Sequence, residues 1–210
     1  MEIKTKNIKT EFECKFYPVN KDEYRKKLES LGAKLTIPER KMIRIIADSR
    51  LNPVLPKNHY VRVRDEGNLT RLSLKVTANE GGQLSDQKEV DVEVSNFDDA
   101  VQIMEAVGVK FNQVQETLRE EWGYKGAQIT IDTWPGIDTY SEIEADSEEK
   151  VREIADDFGF DWNKKIITAA AEVYARVYKI DIEEVLEKIS NITFENNPFE
   201  GMEKHELVYN

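Results

Sequence analysis

Cysteine is nearly missing from this 210-residue chain, which has only Cys14. A single thiol excludes an internal disulfide and suits a reducing compartment. Positive excess is missing too: 30 Lys and Arg stand against 41 Asp and Glu, a formal net charge of −11. That argues against a non-specific nucleic-acid binder, whose affinity rests on neutralising phosphates, and against an electrostatic membrane anchor. A local basic cleft remains compatible, because net charge does not describe a cleft. No apolar run is long enough to span a bilayer. The opening MEIKTKNIKTEFECK has no apolar h-region, so no secretory leader is expected. Neither a fixed-period repeat nor a low-complexity segment is present. The expectation is a cytoplasmic protein, partnered by neither nucleic acid nor membrane, with a length that suits one well-cored domain.

What the chain does have is alternation. About eight segments read as strands, including RKMIRIIAD, HYVRVRDEG, TRLSLKVT, QKEVDVEVS, QETLREEWGYK, AQITIDTW and YSEIEAD. Four or five segments read as helices. Asn20 and Ser147 stand where helices would be capped, and Gly32 and Gly108 where they would end. Strands that pair locally favour an antiparallel sheet in an α+β fold. Residues 1–180 are expected to form the domain, and residues 181–210 a helical and irregular tail packed on it or trailing it.

Side chains on a strand point to opposite faces with period two. In EFECK, Glu11, Glu13 and Lys15 therefore share one face, and Phe12 and Cys14 the other. Two like charges about 6.8 Å apart repel by roughly 2.4 kcal/mol at an effective dielectric of about 20. Water screens this on an open surface, whereas a crowded interior needs compensation. The pattern recurs: Arg62 and Arg64 oppose valines, as do Glu89, Asp91 and Glu93. Arg71, Ser73 and Lys75 oppose Leu72, Leu74 and Val76. Asp132 opposes Ile129 and Ile131, and Glu142 and Glu144 oppose Ile143. One such strand describes an ordinary solvated sheet face. A whole set whose polar face is almost entirely carboxylate and guanidinium describes the interior of a closing sheet. Burial there is prohibitive unless the charges face each other or a ligand. Rows of bases suit a run of phosphates, and clustered carboxylates suit Mg²⁺ or Mn²⁺. Among the remaining residues, Cys14 and the three tryptophans read as packing, and His59 as a surface loop histidine.

EFECK resembles the E-x-E-x-K signature of the CYTH superfamily, the triphosphate tunnel metalloenzymes. VRVRDEG, LSLKVT, VDVEV, LREEW, ITIDTW and SEIEAD resemble its later strand motifs, in the family's order. The resemblance implies a closed antiparallel eight-stranded β-tunnel with a charged lumen and helices packed outside. It implies metal ligation by Glu11, Glu13, Asp132, Glu142 and Glu144, phosphate binding by Arg62, Arg64, Lys75 and Arg119, catalytic roles for Lys15 and Arg119, and lumen support from Asp91 and Glu93. The chain departs from the family pattern at Glu116 and Thr117, where many relatives carry a Lys before the Arg of LREEW. A second departure is RIIAD, where many carry an aromatic segment. The implied function is a Mg²⁺- or Mn²⁺-dependent enzyme acting on a small-molecule triphosphate (ATP, thiamine triphosphate or inorganic triphosphate), as a monomer or homodimer. Hydrolysis is the first expectation. The alternatives are class IV adenylyl cyclase chemistry and a non-catalytic polyphosphate or nucleotide binder.

Overall fold

The computed structural model describes residues 8–78 and 82–209. The ten strands are β1 (Lys9–Thr10), β2 (Phe12–Phe16), β3 (Lys34–Asp48), β4 (His59–Asp65), β5 (Thr70–Val76), β6 (Lys88–Val94), β7 (Gln113–Tyr124), β8 (Ala127–Thr133), β9 (Tyr140–Ala145) and β10 (Asn191–Ile192). They form one sheet in the order β1-β6-β5-β4-β3-β7-β8-β9-β2, with β10 added in parallel to β7. The helices are α1 (Lys21–Ser30), α2 (Phe97–Ala106), α3 (Glu148–Asp157), α4 (Ala170–Tyr178) and α5 (Ile182–Lys188). Among the described residues, no helix is long and apolar enough to cross a membrane.

The sheet curls until its ends meet on one stretch of chain. β1 pairs with β6 and β2 with β9, so residues 9–16 bond both edges. Glu11 breaks this stretch into two strands, and its N–H donates to the carbonyl of Gln87 at 3.0 Å. Below the break, the Gln87 side chain donates to Glu13 O at 2.8 Å, and Lys15 and Ile166 exchange backbone hydrogen bonds of 2.8 and 2.9 Å. Among the described residues the count is therefore ten rather than eight: a short strand, Lys9–Thr10, precedes the expected first one, and the tail contributes another.

β3 begins six residues earlier than RKMIRIIAD suggests. Pro38 lies in the added part and has no N–H to donate. The ladder to β7 absorbs it with register shifts between Leu35 and Ile37 and between Ile37 and Arg40.

Helix ends follow local chemistry. The Asn20, Asn96 and Ser147 side chains accept from the N–H groups of Glu23, Asp99 and Lys150, at 3.1, 2.9 and 3.2 Å. Acids follow in each first turn, where the helix dipole favours them. Gly32 and Gly108 follow α1 and α2 at φ +83° and +99°, a left-handed backbone that glycine adopts without strain.

The outer faces of β2, β8 and β9 bury Cys14, Ile129, Ile131 and Ile143 against α1 and α3. α4, α5 and the tail form a second core around Tyr140, Tyr174, Val177, Leu186 and Phe199. Residues beyond 181 thus belong to the packed structure. Phe199 stacks on Tyr178 with ring centres 4.7 Å apart, and the Tyr209 hydroxyl donates to Tyr17 O. Cys14 is fully buried, and burial pushes its thiol up to about 12, as suits packing rather than nucleophilic chemistry.

Candidate active site

Inside the barrel lies a cavity of about 330 Å³, lined from every wall. β2 and the break before it supply Glu11, Glu13 and Lys15. β3 supplies Arg44, Ile46 and Asp48, and β4 supplies Tyr60, Arg62 and Arg64. Arg71 and Lys75 come from β5, Glu89 and Asp91 from β6, Arg119 and Glu121 from β7, and Tyr140, Glu142 and Glu144 from β9. On each strand the residues named share one phase of the two-residue period, so the pleat delivers them. One end of the cavity meets α4 and α5. Thr168, Ala171, Tyr174, Leu186 and Ile189 line it there. Tyr174 Oη donates to Pro135 O at 2.5 Å, and Gln113 Nε2 to Leu186 O at 3.2 Å. Arg64, Glu66, Arg71, Glu121 and Gln128 line the opposite mouth.

The bases concentrate on β3, β4 and β7. Arg62 Nη2 donates to Glu89 at 3.0 Å and to Ser73 Oγ at 3.3 Å. Arg64 donates twice to Glu66, at 2.9 and 2.5 Å. Arg119 makes a bidentate pair with Asp132 at 2.7 and 2.9 Å and reaches Glu142 at 2.5 Å. Burial and the neighbouring guanidiniums of Arg62 and Arg119 push Arg64 down to about 10. Burial and the guanidiniums of Arg64, Arg62 and Arg119 push Arg44 down to about 9. Four guanidiniums are thus close enough to disfavour one another.

The acids concentrate on β2 and β9, with Glu89 facing them. Glu13 and Glu144 are register partners. Burial, with Glu13 adding repulsion, raises the Glu144 carboxyl. Burial and a hydrogen bond shared with Glu89 raise Glu11 to about 9, against the pull of Lys75. Glu89 goes the other way: Lys75, Glu11 and Arg62 outweigh its burial and hold it far below the usual carboxylate range. The Lys75 ammonium lies 2.9 Å from Glu11, 2.9 Å from Glu89 and 3.7 Å from Glu13. Lys15 pairs with Glu142 at 3.3 Å. Burial opposes its charge, but Glu142 and Glu13 raise it above the ordinary lysine value, so it is held as an ammonium.

Most of the residues singled out in the sequence meet here, and two do not. Asp132, expected among metal ligands, does not line the cavity. Arg119 occupies both its oxygens and Thr130 Oγ1 donates to one of them at 2.5 Å, so its carboxylate faces Arg119. Glu93, expected as lumen support, is exposed and apart from the cavity, near the end of β6. Asp91 does line it and accepts from Ser73 Oγ. Sequence reasoning passed over Arg44, Glu66 and Tyr140, and read Trp134 as packing although it lines the cavity. The signal for Arg44 was there, since it is in period-two phase with Asp48.

Among the described residues, no three Asp, Glu, His or Cys side chains converge on one point as a metal site; the acids are turned toward bases instead. The donor set still fits a hard divalent cation. It consists of carboxylate oxygens, which Mg²⁺ and Mn²⁺ prefer, and the Glu13–Glu144 repulsion is of the kind a cation between them relieves.

The sequence matches the CYTH domain over residues 9–178. The chain belongs to the CYTH family. The CYTH fold recurs in a conserved hypothetical protein from Pyrococcus furiosus, at 19% identity and TM-score 0.64, covering 77% of this chain and 98% of that one. It recurs in a protein from Vibrio parahaemolyticus described as a candidate adenylate cyclase, at 12% identity and TM-score 0.66, covering 80% and 98%. A Hippeastrum protein, described as a candidate adenylyl cyclase with a dominant triphosphatase activity, aligns at 14% identity and TM-score 0.50 over 79% and 94%. No curated protein matches the chain significantly.

Proposed function

We propose that this CYTH protein is a divalent-metal-dependent enzyme that hydrolyses a triphosphate-containing small molecule. The observation that carries the reading is the opposition, across one buried cavity, of the Arg44, Arg62, Arg64 and Arg119 guanidiniums and the Glu11, Glu13, Glu142 and Glu144 carboxylates. The guanidiniums suit a polyanion. The carboxylates suit a cation, which when bound polarises phosphoryl oxygens and neutralises developing charge. Glu11, Glu13, Glu142 and Glu144 would hold it.

The chain's own groups then do the rest by positioning and charge. Arg62 and Arg64 hold the phosphate run, and Lys75 can turn from the carboxylates to it. Arg119, fixed by Asp132, and Lys15, fixed by Glu142, face the reacting phosphoryl group. A water oxygen bonds to the terminal phosphorus as the bridging P–O bond breaks, and the released chain keeps the bridging oxygen. Arg119 and Lys15 neutralise charge on that oxygen. The attacking water keeps one hydrogen on the new P–OH and passes the other to an oxygen of the phosphate chain itself, because the neighbours of Lys15 keep it protonated.

Class IV cyclase chemistry would require a nucleoside held at a mouth. The loop 49–58, SRLNPVLPKN, which meets α4 through the Arg50–Glu172 pair, offers no aromatic side chain for this at that end of the tunnel. Within the loop 78–86 between β5 and β6, residues 79–81 lie outside the described residues. The test is product analysis with ATP, GTP, thiamine triphosphate and inorganic triphosphate in Mg²⁺ or Mn²⁺. Phosphate release is expected. Cyclic AMP with pyrophosphate would overturn hydrolysis, and no turnover of any triphosphate would leave a binder.

A further inference from the structure

At the end of the cavity met by α4 and α5, Arg44 is joined by several polar groups that take no part in the chemistry above. Arg44 stands opposite Gln115 in the β3–β7 register. Its guanidinium lies 4.8 Å from the Trp134 ring centre and donates to Thr117 Oγ1 at 2.5 Å. Arg62, Arg64 and Arg119 each pair with a carboxylate; among the described residues, Arg44 has none. Arg44 Nε, Trp134 Nε1, Thr168 Oγ1 and Gln115 Oε1 are all buried without a hydrogen-bond partner. These four residues are more than nine-tenths buried and line the same cavity. Native proteins leave few buried polar groups unpaired, and an unpaired buried charge is the costliest kind. Four residues of this sort lining one cavity are open to a common partner. Arg44 and Trp134 can only donate, the Thr168 hydroxyl can donate, and the Gln115 amide presents either an oxygen or an NH₂. A positive, donor-rich cluster with no acid takes an anion.

We propose that this cluster is a subsite for the terminal phosphate of the substrate, which enters phosphate first from the Arg71–Gln128 mouth and leaves any organic group there. The proposal rests on the triphosphate reading and adds an orientation to it. It also sets a substrate class: compounds with a free phosphate end bind, and chains esterified at both ends do not.

Calorimetric titration with inorganic triphosphate and with a dinucleoside triphosphate, capped at both ends, tests this. Wild type is expected to prefer inorganic triphosphate by about tenfold or more, the scale of one charge-assisted contact. Arg44→Met should lower its affinity for inorganic triphosphate by about tenfold and bring the two probes within about threefold of each other. Its ligand-free melting temperature should hold or rise, since an uncompensated buried charge is removed. A lower melting temperature with unchanged affinity and discrimination would make Arg44 structural and overturn the subsite. Should Arg44→Met not fold, Thr168→Val takes its place: weaker inorganic triphosphate binding supports the subsite, and unchanged binding overturns it. Binding lost in Arg62→Ala but indifferent to Arg44 overturns the subsite alone. Absence of binding of either probe to wild type overturns the triphosphate reading with it.

Discussion

Glu11 on one wall of the tunnel and Arg44 on another are both displaced by burial, in opposite directions. The carboxyl of Glu11 is raised to about 9 and the guanidinium of Arg44 lowered to about 9. Glu144 on β9 follows Glu11, and Arg64 on β4 follows Arg44. Ion pairs such as Arg62–Glu89 and Arg119–Glu142 connect the walls and hold their own members charged, the carboxyls lowered and the guanidiniums raised. At Glu11 and Glu144 the acid wall remains short of positive charge, and at Arg44 and Arg64 the base wall remains short of negative charge. A packed structural network would leave each partner near or beyond its favourable direction. A site built for a cation and a polyanion together leaves this pair of complementary deficits, because pre-organised charge is what binding and transition-state stabilisation use.

The acid wall is the place to break the comparison first. Replacing Glu142 and Glu144 together by Gln keeps shape and removes ligand charge. Activity is expected to fall by about hundredfold or more and to stop responding to Mg²⁺ or Mn²⁺. Unchanged metal dependence of phosphate release would remove these residues from the metal site. On the base wall, Arg62→Ala and Arg64→Ala should each weaken triphosphate binding by about tenfold or more, the size of a charge-assisted pair. Wild-type affinity by calorimetry would make both arginines structural.

Asp132 sharpens the comparison, because it is an acid that serves the base wall. Asp132→Asn should keep the metal requirement and lower stability by about 1–3 kcal/mol in denaturant melts, as Arg119 loses a buried charged partner. Loss of the metal response in that variant would return Asp132 to the ligands. The smallest effect is a pH slope, read with chelator present. Because the folded state raises Glu11, it holds an extra proton between the ordinary carboxylate range and about 9. Stability is thus present at the acid side of that window and falls as pH rises through it. Glu11→Gln should flatten this decline. An equally steep decline in the variant would locate the proton elsewhere.

The two charged walls were legible in the sequence because a strand's two-residue period sorts side chains by face regardless of partners. Asn20 and Ser147 were legible as caps for a similarly local reason. The use made of Asp132 was not, since its bidentate contact depends on the β7–β8 register that brings it opposite Arg119. Arg44 was hidden by its setting: Ile43, Ile45 and Ile46 make MIRIIAD look like an apolar strand, although Ile46 lines the cavity beside it. Pro38 concealed the first part of β3 by breaking the hydrogen-bond pattern that strand reading assumes. In the tail, Phe199 and Tyr209 find partners at Tyr178 and Tyr17, contacts too distant in sequence for any periodicity to announce.

The complementary deficits make one direct claim: cation and polyanion must help each other bind. Titrating the protein with inorganic triphosphate, once saturated with Mn²⁺ and once in chelator, measures it. Affinity about tenfold or more higher in Mn²⁺ is predicted, with an equal gain in Mn²⁺ affinity when triphosphate is present, as linkage requires. Equal triphosphate affinity in both conditions would contradict the account.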